Sequence, residues 1–308
     1  MSTWEKLAFF SLPKNRPSNI NSHAQLPTAL VLTDRVRVFF AARDKEQRSS
    51  VYFVDMFWDL SKVSFSAVSS DSVLSPGGIG TFEEHGVYPS CVVTHEGQHF
   101  MYYIGWNQGV EAPLFYASIG IAKSADGIHF EKMPGPVLSR GEHDPCLVTS
   151  PHVYIDDGLW RMTYVSGIRW SRNEAGSLQS HYHIKYAESA DGISWRRNGT
   201  IAIDFEPGET NIARSSVVKT GVNDYKMWFA YVHQSLKKYR IGYAESVDGV
   251  AWQRADSLAG ISVDDANAKS MICYPCVFHF QGRLWMLYNG DDFGKQGFGV
   301  AILNESPS

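Results

Sequence analysis

One motif occurs three times in this chain and limits the possible folds more than any other feature. The segments 124–130, 189–195 and 246–252 share the pattern S-x-D-G-x-x-aromatic, and each follows a short apolar run. The glycine supplies the positive φ of a tight turn, and the aromatic residue can fold back over it. Similar segments at a fixed period predict a repeat architecture. We therefore expect the aspartates of the motif to be structural: Asp126, Asp191 and Asp248.

A second repeat extends this pattern over the whole chain. A proline or serine opens an apolar strand at five positions, separated by 62, 62, 64 and 60 residues, and a hairpin turn and a second strand follow each opening. Radial repetition is how sheets of this kind avoid long open edges. The spacing predicts an all-β fold, a five-bladed β-propeller forming one domain over residues 1–308. The predicted blades open near Pro27, Pro89, Pro151, Ser215 and Pro275.

Composition argues against several classes of partner and cofactor. The formal net charge of −4 argues against a basic surface that would bind nucleic acid. No run of apolar residues approaches the roughly 20 that a membrane span needs. The N-terminal residues lack the pattern of a secretory signal, so we expect a cytoplasmic protein. No phosphate-loop or dinucleotide motif is present, and no cofactor is expected. The Cys273-x-x-Cys276 pair lacks partners at zinc-site spacing, so we expect reduced thiols and no metal.

The repeated motif also carries a family resemblance. Five units whose third strand ends in S-x-D-G-x-x-[WF] resemble the five-bladed propeller glycosidases, which include the arabinanase/xylosidase, invertase/fructosidase and mannoside phosphorylase families. The segments 101–106 and 161–167 resemble the second strands of those enzymes, and the resemblance spans residues 20–303. It implies a carbohydrate-active, glycoside hydrolase-like enzyme that acts on a glycoside or sugar derivative at the mouth of the channel.

The chain differs from these families at the positions of their catalytic residues. The families place a catalytic carboxylate at the inner start of a blade, often as Asp-Pro directly before the first strand. The Asp144-Pro145 pair lies six residues upstream of that register. No acid precedes the blade-opening residue in any repeat, where the chain has Leu26, Tyr88, Ser150, Arg214 and Tyr274. The catalytic residues of the families therefore cannot be transferred to this chain.

Four residues are nevertheless candidates for catalysis. Glycoside cleavage usually needs two carboxyl groups, and Glu84, Asp44 and Asp144 lie near expected blade ends. The segment 83–88 resembles the Glu-x-x-Gly lead of the phosphorylases into their second blade, and Glu84 is the acid chosen from it. Asp44 follows Arg43 and also suits an ion pair, whereas Asp144 also suits a plain turn. His233 follows a channel-facing strand, where it can serve as a general acid or base.

The residues at blade mouths form a candidate binding set. Flat aromatic rings can stack against the C–H groups of a sugar. Side chains with two polar atoms can form bidentate hydrogen bonds to vicinal hydroxyls. The alternative is that these loop side chains are merely solvated. Two long segments, 105–113 and 167–180, are expected to rim the pocket. The substrate-binding candidates are Arg43, His85, Tyr88, Trp106, Asn107, Trp170, Arg214, Tyr274, Asn289 and Asp291.

The sequence leaves three functions open. The first is a glycoside hydrolase-like enzyme. The second is a biosynthetic enzyme that acts on an activated or anionic sugar, because Arg43 and Arg214 have guanidinium groups that bind phosphate or carboxylate bidentately. The third is a non-catalytic sugar-binding propeller. In each case the expected partner is a small-molecule sugar or glycoside, with neither nucleic acid nor membrane involved.

Overall fold

The computed structural model describes residues 3–59, 62–263 and 269–304, and these residues confirm the all-β prediction. Helical structure among them is confined to a 3₁₀ turn at Asp256–Leu258 and a short helix, α1, at Asp291–Gly294. In chain order the strands are β1 (Thr3–Ser11), β2 (Ser22–Val31), β3 (Val36–Arg43), β4 (Ser49–Asp59), β5 (Lys62–Phe65), β6 (Gly86–His95), β7 (Gln98–Gln108), β8 (Phe115–Ser124), β9 (Glu131–Lys132), β10 (Leu147–Asp156), β11 (Leu159–Arg172), β12 (Leu178–Ser189), β13 (Ile201–Ile203), β14 (Glu209–Gly221), β15 (Asp224–His233), β16 (Tyr239–Ser246), β17 (Gln253–Arg254), β18 (Cys273–Phe280), β19 (Arg283–Asn289) and β20 (Gly297–Asn304). No helix in this part of the chain is long and apolar enough to cross a membrane.

The strands pair antiparallel in consecutive groups of four. Group 1 contains β2 to β5 and group 2 contains β6 to β9, and a parallel bridge between β4 and β6 joins them into one eight-stranded sheet. Group 3 contains β10 to β13 and group 4 contains β14 to β17, and a parallel bridge between β12 and β14 joins these in the same way. Group 5 is different because β18, β19 and β20 are completed by the first strand of the chain, β1. Thr3 lies opposite Asn304, so the two ends of the described chain meet in one sheet.

The repeated S-x-D-G motif forms the same turn in groups 2, 3 and 4. In group 3, Asp191 Oδ1 accepts hydrogen bonds of 2.8 Å from the amides of Ile193 and Ser194, and Ser189 Oγ accepts the Gly192 amide at 2.9 Å. The Gly192 carbonyl then accepts a 2.7 Å bond from the Tyr102 hydroxyl of group 2. The turn thus attaches its group to the preceding one, which gives the three aspartates the structural role that their repetition predicted.

Apolar clusters fill the space between neighbouring groups. Tyr102 and Met162 belong to a cluster between groups 2 and 3, and similar clusters lie between groups 1 and 2 and between groups 3 and 4. Trp4 and Trp228, whose ring centroids are 5.4 Å apart, lie in the cluster that joins groups 4 and 5. Phe10 of β1 packs with side chains of groups 1 and 5. Burial of these side chains is the main stabilising contribution.

The first strands of the groups lie side by side and share a local distortion. Each of β2, β6, β10, β14 and β18 has a register shift next to its opening proline or serine. A β-bulge changes the direction of the side chains around it. Contacts join β2 to β6, β6 to β10, β10 to β14, β14 to β18, and β18 back to β2. The bulges therefore bring equivalent residues of all five groups to one region.

Candidate functional site

A cavity of about 630 Å³ opens at the bulges of the first strands. Four of the five residues that precede the opening prolines and serines line it, and group 4 contributes Ala213 in place of Arg214. The lining residues are Gln25, Leu26, Arg43, Gln47, Tyr88, Ile104, Trp106, Gln108, Gly109, Ala112, Pro113, Leu114, Phe115, Thr149, Ser150, Val165, Tyr182, Ala213 and Tyr274. A concave site with apolar walls and a few polar groups is the usual form of a small-molecule site.

Aromatic side chains form part of the walls of this cavity. The rings of Tyr88 and Trp106 lie 6.3 Å apart at 30°, and the indole of Trp106 donates a 2.9 Å hydrogen bond to Ser49 Oγ, which fixes the ring. His85 lies beyond the indole, with its ring centroid 5.8 Å away. Tyr274 is stacked on Phe293 at 6.1 Å. Tyr88, Trp106 and Tyr274 thus line the cavity, and their contact with a substrate stays a prediction.

Arg43 is the one charged side chain among the described residues that line the cavity. Its Nη2 atom donates a 3.1 Å hydrogen bond to Gln25 Oε1, which orients the guanidinium. Its Nε atom is buried and has no hydrogen-bond partner among the described residues. No carboxylate lines the described walls of the cavity. The arrangement favours a ligand that carries negative charge.

One wall of the cavity comes from the first of the two long segments. Gly109, Ala112 and Pro113 of this segment belong to the wall, and Phe115 at the start of β8 continues it. Trp170, from the second long segment, packs edge-on against Phe115 at 5.9 Å, outside the cavity lining. Arg172 joins the two segments through an ion pair of 2.9 Å with Glu111. The second segment is therefore a continuation of the β11–β12 hairpin that supports the wall.

Two of the predicted catalytic acids lie in another cavity, of about 310 Å³. There Asp44 forms an ion pair with Arg48 at 3.0 Å, and Glu84 Oε2 accepts the Gly80 amide at 2.9 Å. Asn107, in β7, holds the loop that precedes Glu84, because its Nδ2 atom donates to the Thr81 carbonyl at 2.8 Å. Asp44 and Glu84 therefore do not face the aromatic cavity, contrary to the prediction that they act there.

The other two catalytic candidates also lie away from the aromatic cavity. Asp144 is completely buried and pairs with Arg197 at 2.6 Å and with Lys185 at 3.7 Å, so its carboxylate has a structural role. His233 Nδ1 bonds to Ser235 Oγ at 2.6 Å, and its ring covers Gly208. The fold does not bring the four predicted catalytic residues together.

Three predicted binding residues are used elsewhere in the fold. Arg214 is buried and its Nη2 atom donates to the Pro27 carbonyl at 2.9 Å and to Thr28 Oγ1 at 2.8 Å. Asn289 is fully buried. Asp291 Oδ1 accepts the amides of residues 270 and 271, each at 2.9 Å, and so holds a loop in place. None of the three lines the described cavity.

The cavity also contains residues that the predicted set did not include. Gln108 was recognisable in principle, because strand alternation places it on the same face as Trp106. Gln47 lies in the turn after β3, and Tyr182 comes from β12, so only the packing of the groups brings them to the cavity. No group of three potential metal-binding side chains occurs within the described ranges.

Comparison with known proteins defines the family. No family model matches the chain. It is 34% identical to the uncharacterized proteins Rv1502 and MT1551 of Mycobacterium tuberculosis over 304 residues, which cover 97% of this chain and 99% of each relative. The chain belongs to the Rv1502 family. It is also 27% identical to a 1,2-beta-oligomannan phosphorylase of Thermoanaerobacter over 149 residues, or 45% of this chain and 46% of that enzyme.

Solved structures place this Rv1502-family fold among the propeller-type glycoside hydrolases. A glycoside hydrolase superposes with a TM-score of 0.72 at 18% identity and covers 99% of this chain and 93% of that one. A BT0996 complex with RGII gives 0.71 at 18% identity, with coverage of 98% and 92%. An endo-arabinase from Bacteroides thetaiotaomicron gives 0.63 at 14% identity, with coverage of 98% and 99%. The resemblance inferred from the S-x-D-G motif is confirmed for the fold.

Proposed function

We propose that this Rv1502-family protein is a carbohydrate-active enzyme whose aromatic cavity binds a sugar derivative that carries a phosphate or carboxylate. The observation that carries the proposal is Arg43, the one charged group among the described residues of a cavity whose walls include Tyr88, Trp106 and Tyr274. A planar guanidinium binds such groups with two parallel hydrogen bonds. The aromatic faces supply the contacts that sugar C–H groups need.

The absence of carboxylates from the described walls of the cavity bears on the type of reaction. Hydrolysis by the usual mechanism needs two carboxyl groups about 5–10 Å apart. We therefore place a biosynthetic or phosphate-dependent reaction ahead of hydrolysis. Glycoside hydrolysis is the second candidate, because the fold is that of glycoside hydrolases. The partial similarity to an oligomannan phosphorylase is consistent with the first.

The same proposal includes the arrangement of the domain. The five strand groups would form five blades of one propeller around a central channel, with blade openings near residues 27, 89, 151, 215 and 275. Contacts among β2, β6, β10, β14 and β18 support this arrangement, as do the apolar clusters between successive groups. An experimental structure with a different number of blades would contradict it.

We further propose a cytoplasmic location. The support is that all four cysteines are free thiols, as expected in a reducing compartment. Fractionation of cells that express the tagged protein tests this, and recovery outside the cytoplasm would contradict it.

Titration calorimetry tests the proposed ligand class. The protein is titrated with matched pairs, such as a hexose 1-phosphate against the free hexose and a uronic acid against its neutral sugar. The anionic member should bind at least about tenfold more tightly, the size of one charge-assisted hydrogen bond. Equal affinity within every pair would contradict the role of Arg43. Release of free sugar from aryl glycosides without added phosphate would instead support hydrolysis.

A further inference from the structure

The charged part and the largest apolar part of the aromatic cavity come from different strand groups. Arg43, Gln25 and Gln47 belong to group 1, in β3, in β2 and in the turn after β3. Residues 109–115, which we call the loop wall, run from the end of β7 to the start of β8 in group 2. The loop wall contributes five lining residues, and none of these has a polar side chain. A ligand that contacts both parts of the cavity therefore needs two chemically different ends.

The backbone of the loop wall offers few hydrogen bonds to a ligand. The Gly109 amide donates to the Leu114 carbonyl, and the Leu114 amide donates to the Glu111 carbonyl, each at 2.8 Å. Pro113 has no amide hydrogen to donate. The hydroxyl groups of a sugar placed here would lose water without a replacement partner, which costs free energy. An alkyl or aryl group would instead gain free energy by leaving water.

The loop wall is held in place by contacts outside the cavity. Arg172 pairs with Glu111 at 2.9 Å, and Trp170 packs edge-on against Phe115 at 5.9 Å. Leu114 packs so closely on Gly109 that a Cβ atom there would lie 2.1 Å from the leucine side chain. A wall that is already ordered costs little entropy when a ligand binds to it.

The apolar surface continues from the loop wall onto the strands. Leu26, Ile104, Val165 and Ala213 also line the cavity. The volume of about 630 Å³ lies within the range of about 300–1,000 Å³ that is typical of sites for drug-sized ligands. Such ligands are larger than one phosphorylated sugar ring, so the cavity has room for a further group.

We propose that the ligand of the aromatic cavity carries an apolar aglycone, a short alkyl chain or one aromatic ring, which packs against the loop wall. The anionic group of the same ligand binds Arg43. Gln108, Thr149 and Ser150, which also line the cavity, remain for the hydroxyl groups of the sugar. This inference rests on the proposed function, which supplies the anionic sugar, and adds the aglycone to it.

Titration calorimetry with ethyl, butyl and hexyl phosphate tests the aglycone site. These monoesters carry the anion and an alkyl chain without any sugar. Each methylene group that the loop wall covers should tighten binding about threefold. Hexyl phosphate should therefore bind to the wild-type protein at least about tenfold more tightly than ethyl phosphate.

Two variants of the loop wall show where the chain binds. Leu114→Asn places an amide in the cavity lining and should reduce the hexyl-to-ethyl affinity ratio at least about threefold. Val110→Asn is the matched control, because Val110 belongs to the same loop, is 91% exposed and does not line the cavity. It should keep the wild-type ratio. Thermal unfolding confirms that both variants are folded.

Equal affinity of the wild-type protein for ethyl and hexyl phosphate would overturn the inference, and this result needs no variant. It would leave the proposed function intact if sugar phosphates still bind more tightly than free sugars. An undiminished ratio in folded Leu114→Asn, or its loss in Val110→Asn, would also overturn the inference.

Ethyl and hexyl β-glucoside separate this inference from the role of Arg43. A chain-length effect in these neutral glucosides, with no preference for the phosphates, would support the aglycone site and contradict the anion-binding role of Arg43.

Discussion

The amide of Leu26 donates a 2.8 Å hydrogen bond to Asn289 Oδ1, and this bond joins the first strand group to the last. The Asn289 Nδ2 atom donates to the Ala24 carbonyl at 2.9 Å and to the Gly297 carbonyl at 3.0 Å. One side chain thus satisfies three backbone groups, two from β2 and one from β20. Asn289 connects the groups and does not line the cavity, although its position at the end of β19 suggested a ligand contact.

Asn289→Ala should therefore destabilise the protein strongly. The substitution leaves buried backbone donors and acceptors unsatisfied, which costs about 1–3 kcal/mol for each group. We expect the free energy of unfolding to fall by about 3 kcal/mol in urea denaturation. Asn15→Ala, at an exposed asparagine, should leave it within about 0.5 kcal/mol of wild type. Equal stability of the two variants would show that Asn289 does not connect the groups.

Arg43→Met should weaken binding of an anionic sugar and spare the fold. Arg43 lines the aromatic cavity, and loss of hydrogen bonds to a charged group corresponds to about 1.5–3 kcal/mol in binding free energy. Calorimetry with the tighter-binding member of a matched pair measures this loss. Arg48→Met is the matched control, because Arg48 pairs with Asp44 in the other cavity. A similar loss in both variants would mean that the effect is a general change of charge.

Asp144→Asn should lower stability without changing sugar affinity. The carboxylate is completely buried against Arg197 and Lys185, and removing one member of a buried ion pair typically costs about 3–5 kcal/mol. Urea denaturation measures the first effect and calorimetry the second. A variant that is stable but no longer binds or converts sugar would restore Asp144 to the catalytic role that the Asp-Pro sequence suggested.

Acid should reveal the structural role of Asp191. Hydrogen bonds from the amides of Ser194 and Ile193 lower the pKa of this carboxyl group to about 2. Its contribution to stability is present above the unfolded-state value of about 3.8 and is lost as the pH falls through 2. The Tm of Asp191→Asn should therefore fall less steeply than that of wild type between pH 4 and pH 2. Parallel Tm profiles would contradict this role.

His152 should make the protein less stable in mild acid. Burial lowers the pKa of this histidine to about 4, so the folded state keeps it neutral while the unfolded chain takes up a proton below about 6.5. Stability is complete above pH 6.5 and falls by up to about 3 kcal/mol as the pH approaches 4. His152→Gln should flatten this part of the stability profile in urea denaturation. An unchanged slope would show that another group titrates there.

The turns and strands follow from the sequence because they depend on neighbouring residues. Asp191 and Gly192 form their turn with atoms no more than a few positions away, and apolar alternation marks the strands. The same local pattern placed Tyr88, Trp106 and Tyr274 at strand positions that proved to line the cavity. These predictions needed no knowledge of which strand lies beside which.

The surroundings of other candidates could not be predicted, because the partner of each side chain is distant in the chain. Asp144 is buried by Arg197, which lies 53 residues away, and Arg214 bonds to Pro27 across 187 residues. Nothing in the segments around Asp144 or Arg214 specifies those contacts. Asp44 and Glu84 line the cavity that also contains Arg48, and the sequence around them does not specify this position.

The sequence by itself therefore determined the repeat, the all-β class and the motif turns, since hydrogen bonds within a few residues encode them. Only the tertiary structure decided which strand-end residues face the aromatic cavity. Tyr274, at the bulge of β18, lines that cavity. Arg214, at the equivalent position of β14, is buried among β2, β6 and β14. The physical reason is that a bulge redirects each side chain, and the contacts available from other strands then decide where that side chain settles.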